Sequence, residues 1–299
     1  MNHLSKDERD PRLDVLEQDF FRRAENKTQT QDNRQQQNHV RVIIGQGPRN
    51  PPHNMFLRGF MDAMYFQQPV QKHSGSFWHF SKKELNDLAL ATLAFGLALA
   101  FMRMGGIFSI LSSGDSLLLV LISMFIWGVL YIFALGPAFI LHELAHKYQA
   151  RHYGCWAEFR ADPQGLKTGV LIAALLGIVF MAPGAVMVAG NISKEQNGKI
   201  ALVGPISNLV LFAIGLVGGG LLLGLTSNMF VVQFVDAWLW GNSILAAFNM
   251  IPFGPLDGRK VKNWSEPIFW IFMISTLALV YATIIGRFDP VLEMFSALV

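Results

Sequence analysis

Residues 142–146 read H-E-L-A-H. On a helix, positions i and i+4 differ by about 40° around the axis, so His142 and His146 would project from one face. Two imidazoles so placed can hold one zinc ion, and Glu143 beside them can reach water activated by that ion. Zinc lowers the pKa of such a water toward ~7, and the carboxylate can take its proton as hydroxide attacks a carbonyl. The bland alternative is a pair of surface histidines at a helix end. Position weakens it, because the motif closes a long apolar run, Leu117–Leu141, where unpaired ionisable groups are costly. Gly136-Pro137, about one turn upstream, is expected to kink this helix and open room for water.

A catalytic zinc needs a third protein ligand and an open position. Asn249–Gly258 reads N-M-I-P-F-G-P-L-D-G, in which Pro252 and Pro255 break the helix and Gly254 and Gly258 permit tight turns around Asp257. A carboxylate held by broken backbone at the end of an apolar run suits a metal ligand. Taken alone, it suits a helix cap equally well. Glu195, in N-I-S-K-E-Q-N-G, is the competing carboxylate and would make the chain the other membrane H-E-x-x-H type, with a downstream Glu as third ligand. A non-catalytic membrane scaffold or transporter is the reading from another class. Glu143 argues against it, since holding a metal does not need that base.

H-E-L-A-H, then G-P-I-S-N (Gly204–Asn208), then N-M-I-P-F-G-P-L-D-G stand in the order of the site-2 protease family of intramembrane zinc metalloproteases. The stretch from Leu117 to Lys262 resembles that family. The resemblance implies His142, His146 and Asp257 as ligands to one zinc ion and Glu143 as the catalytic base. It implies that Asn208 helps position the substrate carbonyl or its developing oxyanion. The implied substrates are membrane-spanning segments of other proteins, cut within or near the span. Residues 1–84 lie outside the family core, and no PDZ-like insert follows the first motif.

The elements that must position these residues lie in lipid. Of 299 residues, 52% are hydrophobic and 15% charged, against about 25% charged in globular chains. Residues 1–84 hold 13 of the 24 Lys and Arg and 10 of the 21 Asp and Glu, which leaves 22 charges for the remaining 215 residues. The fold expected is an all-α, multi-pass integral membrane protein: a polar N-terminal region over 1–84 and a membrane-embedded metalloprotease domain over 85–299. Five spans are predicted, over Leu85–Met104, Leu117–Leu141, Ala201–Leu225, Met229–Ile251 and Pro267–Ile285.

The head reads as partly disordered, since Gln29–Asn38 has almost no apolar surface. His39–Gly45 is strand-like, and Met55–Phe66 is either an amphipathic surface helix or a packed satellite. Met1–Lys27 has no apolar run, so no cleavable leader is expected. His53, His73 and His79 read as surface residues. The mixed charges and net charge of +3 argue against a nucleic-acid partner, and the single Cys155 excludes an internal disulfide and reads as an inert loop residue. Gln233, Asp236 and Asn242 are expected to face the bundle interior.

Val170–Gly190 is apolar but cut by Pro183-Gly184, and parity decides its course. If it crossed, three crossings would separate His146 from Asp257 and put them on opposite sides. A re-entrant, partly β-like element leaves two crossings, and they meet. Lys147, Arg151, Arg160, Lys167, Lys194, Lys199, Arg259, Lys260 and Lys262 then share the side of the head, which the positive-inside bias makes cytoplasmic. The N terminus and the active site of this cell-membrane protein are expected there. A strand over Ala185–Gly190 would give an edge on which a substrate could be held extended.

Overall fold

A computed structural model describes residues 78–299, apart from 182 and 227. The expected strand over His39–Gly45, the segment Met55–Phe66, the disordered tract Gln29–Asn38 and the residues His53 and His73 lie outside the described residues. Among the described residues the order is α1 (Lys82–Arg103), α2 (Gly106–Ser112), α3 (Leu117–His152), β1 (Trp156–Ala161), α4 (Pro163–Leu176), β2 (Gly184–Ala189), α5 (Lys194–Leu225), α6 (Met229–Asn249), α7 (Asp257–Trp264), α8 (Glu266–Ile284) and α9 (Asp289–Ser296). Five helices, α1, α3, α5, α6 and α8, are long and apolar enough to cross a membrane. They match the five apolar runs in number and order.

Local chemistry sets the helix ends. Side chains of Ser81, Ser116 and Asn228 accept from backbone N–H groups in the first turns of α1, α3 and α6, and Ser193 with Gln196 forms a capping box that opens α5. The 36 residues of α3 extend about 54 Å, well beyond the ~30 Å hydrocarbon layer, so H-E-L-A-H rides on the same helix as the span. That helix continues through Pro137. Gly136 lets α1 approach, since a Cβ there would lie 3.3 Å from Thr92 Cγ2. The buried residues Ser81 and Glu84 belong with α1, as its N-cap and a member of its first turn.

β1 and β2 pair antiparallel, with Trp156 opposite Ala189 and Ala161 opposite Gly184. The ladder brings both ends of the intervening segment, residues 162–183, to one place. The outward leg is α4, capped by Asp162 and stopped by Gly177 at φ 67. It packs along α1 and α2. The return leg lies on α4, with Met181 in the space that Gly169 leaves open. Val170–Gly190 is therefore helix, return and strand rather than a sixth long helix.

α3 packs against α1, α5 and α6. At one end of α5, Trp264 of α7 lies on Gly198, while at the other end α9 lies on Gly220 and Gly224. Of the polar residues expected inside, Asn242 is buried and Gln233 partly buried, but Asp236 is exposed. The inward face of α6 runs through Val235, Leu239, Asn242 and Ala246 at helical spacing, and Asp236 falls off it.

Candidate active site

α3, α5 and α7 each bring part of one buried cluster. Nε2 of His142 and Nε2 of His146 lie 3.3 and 2.9 Å from Oδ2 of Asp257. Their ligand atoms all lie within 4.8 Å of one another. Tetrahedral ligands ~2.0–2.1 Å from a zinc ion stand ~3.3 Å apart, so the spacing fits. The donor chemistry fits as well. Nδ1 of His142 is 2.6 Å from Oδ1 of Asn208, and Nδ1 of His146 is 2.6 Å from the Ile200 carbonyl. Both partners are acceptors, so each Nδ1 carries a hydrogen, and in the tautomer that a metal requires each ring then turns its Nε2 lone pair toward the Asp257 carboxylate. Three acceptors thus converge on one point, an arrangement that a cation satisfies.

The third acceptor is fixed at its other oxygen, because Nζ of Lys260 donates to Oδ1 of Asp257 at 3.1 Å. Burial pushes the Asp257 carboxyl up, while the Lys260 ammonium beside it favours the ionised form. The ionised carboxylate is the form in which such a group ligates a metal. Gly204 leaves the space in front of the histidines, where a Cβ would lie 2.5 Å from Nε2 of His146 and 2.6 Å from Nε2 of His142.

The structure places Asn208 beside the first histidine of the motif. It is fully buried, with Oδ1 on His142 and Nδ2 donating to the Ala138 carbonyl at 3.1 Å and to Oδ1 of Asn242 at 3.2 Å. Its amide faces the metal ligand and α6. The reason is position on α5: Gly204 and Asn208 are one turn apart on the face that packs against α3.

A cleft of about 130 Å³ opens on the cluster, with Glu143 in its lining. One wall is β2. The Phe159 N–H donates to Oε1 of Glu84 at 3.1 Å, and the Ala157 carbonyl accepts from Nη2 of Arg151 at 3.1 Å. Both groups point away from β2, so Phe159–Val186 and Ala157–Val188 are non-hydrogen-bonded pairs of the ladder. By the same rule the backbone N–H and C=O of Val186 and Val188 point away from β1, and both residues line the cleft. The Val186 amide is within reach of the Glu143 carboxylate. Among the described residues no strand pairs with this edge of β2.

Glu195 is not brought here. It is exposed at the start of α5 and pairs with Lys199 at 2.5 Å. Cys155 is buried in the turn after α3, where burial pushes its thiol up, as suits an inert residue. Lys260, Asn249 and Asn197 also line the cleft; Asn249 opens the third motif, while Lys260 and Asn197 stand outside all three. The i, i+3 spacing of Asp257 and Lys260 was the one available signal. The carbonyl of Ile200 leaves no mark in a sequence at all.

Over 196 residues the chain is 35% identical to "Putative zinc metalloprotease MJ0611" of Methanocaldococcus jannaschii, covering 65% of this chain and 91% of that one. "Putative zinc metalloprotease YwhC" of Bacillus subtilis is 24% identical over 204 residues, 56% of this chain and 91% of its own. "Zinc metalloprotease MJ0392", also of M. jannaschii, is 30% identical over 145 residues, 45% of this chain and 33% of that longer one. No family model matches the chain, and no solved structure does. With most of the first relative covered at this identity, the chain belongs to the zinc metalloprotease family of these proteins.

Proposed function

We propose that the protein is an intramembrane zinc endopeptidase of the site-2 type, cutting peptide bonds within or near membrane-spanning segments of other proteins. The observation that carries this reading is the meeting of three acceptors, Glu143 and a free strand edge in one cleft of a bundle with five apolar helices. His142, His146 and Asp257 would hold one zinc ion. When bound, zinc supplies Lewis acidity, polarising a carbonyl and acidifying water. Glu143 takes the proton from the attacking water and later returns it to the leaving amine. Asn208 keeps His142 in the Nδ1–H tautomer and aims its ring, so it acts on the ligand rather than on the substrate.

A peptide bond inside a helix is shielded by its own ladder, so the substrate must be held extended. The outward carbonyl of Val186 and the outward groups of Val188 offer it hydrogen bonds beside Glu143. The histidines end α3 where Lys147 and Arg151 follow, and α7 brings Arg259, Lys260 and Lys262 to the same end. This bias supports a cytoplasmic active site in the cell membrane.

Purified protein in proteoliposomes, offered a panel of single-span substrates with and without a zinc chelator, tests the activity. Cleavage that survives complete zinc removal would sink the reading. Orientation is tested with cysteines at Ser193 or Gln196 in a Cys155→Ser background. They should resist an impermeant thiol reagent outside intact cells, and labelling would overturn the assigned side.

A further inference from the structure

The most deeply buried charge in the described region takes no part in the chemistry above. Glu84, on the first turn of α1, is 0% exposed. Its two carboxylate oxygens accept from Nζ of Lys147 at 2.7 and 2.6 Å, and Oε1 also accepts the Phe159 N–H at 3.1 Å. Lys147 is the residue after His146 on α3, and its ammonium also donates to the His79 carbonyl at 2.9 Å. One turn further along α3, Arg151 bridges the His79 carbonyl and the Ala157 carbonyl, at 3.0 and 3.1 Å. These bonds join the start of α1, the end of α3 and the outer edge of β1.

Their direction matters. Ala157 and Phe159 present their backbone groups to the clamp because they form non-hydrogen-bonded pairs with Val188 and Val186. The same register turns Val186 and Val188 into the cleft. A sheet of two strands has two open edges, and here charged side chains close one of them and fix the height of the other above α3. Burying a charge pair is costly and often does not stabilise a fold, so its presence calls for another explanation.

We infer that Glu84, Lys147 and Arg151 are positioning residues for substrate: they hang the β1–β2 sheet from the metal-binding helix so that the Val186 edge stands beside Glu143. The inference rests on the reading of β2 as the substrate-holding edge. It assigns the clamp to holding the substrate chain, with no part in holding the metal.

The test uses full-length protein in proteoliposomes with a single-span substrate that the parent cleaves. The charge-neutral double variant Glu84→Gln/Lys147→Met removes the tie without leaving an unpaired buried charge, and Lys147→Arg keeps it. The double variant should keep one zinc per chain and a kcat within about twofold, while KM rises about tenfold, the loss of roughly one well-placed hydrogen bond's worth of binding. Lys147→Arg should restore KM. A photoreactive residue at Val188, in a Glu143→Gln background, should crosslink to substrate in the intact clamp and much less in the double variant. Unchanged KM and crosslinking in a zinc-loaded double variant would overturn the inference. So would loss of zinc, which would make the clamp a support of the metal centre. If the zinc-loaded parent cleaves nothing in the panel, the protease reading itself fails, a result distinct from either of these.

Discussion

The metal centre and the β1 clamp lie side by side and are built from the same materials, buried charges drawn from distant parts of the chain. In the metal centre, His142 and Asp257 are 115 residues apart, and three acceptors converge with no donor among them. In the clamp, Lys147 and Glu84 are 63 residues apart, and cationic donors meet a carboxylate and backbone carbonyls. A cluster of acceptors is incomplete without a cation, and so signals function. A matched cluster is complete in itself and signals only geometry. The difference teaches that burial of charge does not mark a catalytic group, whereas an excess of one hydrogen-bonding sense does.

The contrast breaks most sharply at the base. Glu143→Gln removes the proton acceptor and leaves every ligand in place, so cleavage should fall on the order of 10³-fold while zinc content stays at the parental level. Comparable proteolysis by the purified variant would remove Glu143 from the mechanism. Asp257→Ala is the next largest effect. It deletes the acceptor on which both imidazoles converge, and metal analysis should find little zinc in the purified protein. Glu195→Ala, measured in parallel, should leave zinc and activity at parental values, because Glu195 meets only Lys199 at the surface. If zinc followed Glu195 instead, the site-2 assignment would give way to the type with a glutamate ligand.

Smaller effects sharpen the comparison. Asn208→Ala takes away the acceptor that orients His142 and should weaken zinc binding about 10–100-fold, the usual effect of losing a ligand's outer partner. Competition with a chelator of known affinity reads that shift directly. A rise in KM at unchanged zinc affinity would restore the substrate-facing role expected of Asn208 from the motif. The smallest effect is expected at Cys155, where Cys155→Ser should leave cleavage and zinc unaltered. Because burial pushes the native thiol up, its alkylation should be slow near neutral pH and quicken only at higher pH or on unfolding, followed by mass spectrometry.

Much of this protein is legible in one dimension. The five long helices follow from apolar runs of span length, because lipid forces each segment to satisfy its own backbone and leaves the helix as the answer. His142, Glu143 and His146 are legible because i, i+4 spacing on one helix is a local matter, and Asp257 stands out through the prolines and glycines around it. Even the return of residues 162–183 follows from counting crossings. What only the tertiary structure decided are the second partners. Asn208 turns toward His142 because α5 packs Gly204 against both histidines, and no local pattern states which face of α5 meets α3. Glu84 reads as the last charge of a polar head, and becomes a buried anchor only where the ends of α1 and α3 come together over β1. Residue type and spacing along one element determine which groups can do chemistry. The direction of their hydrogen bonds is settled by packing between elements, where partners far apart in the chain leave no periodic trace.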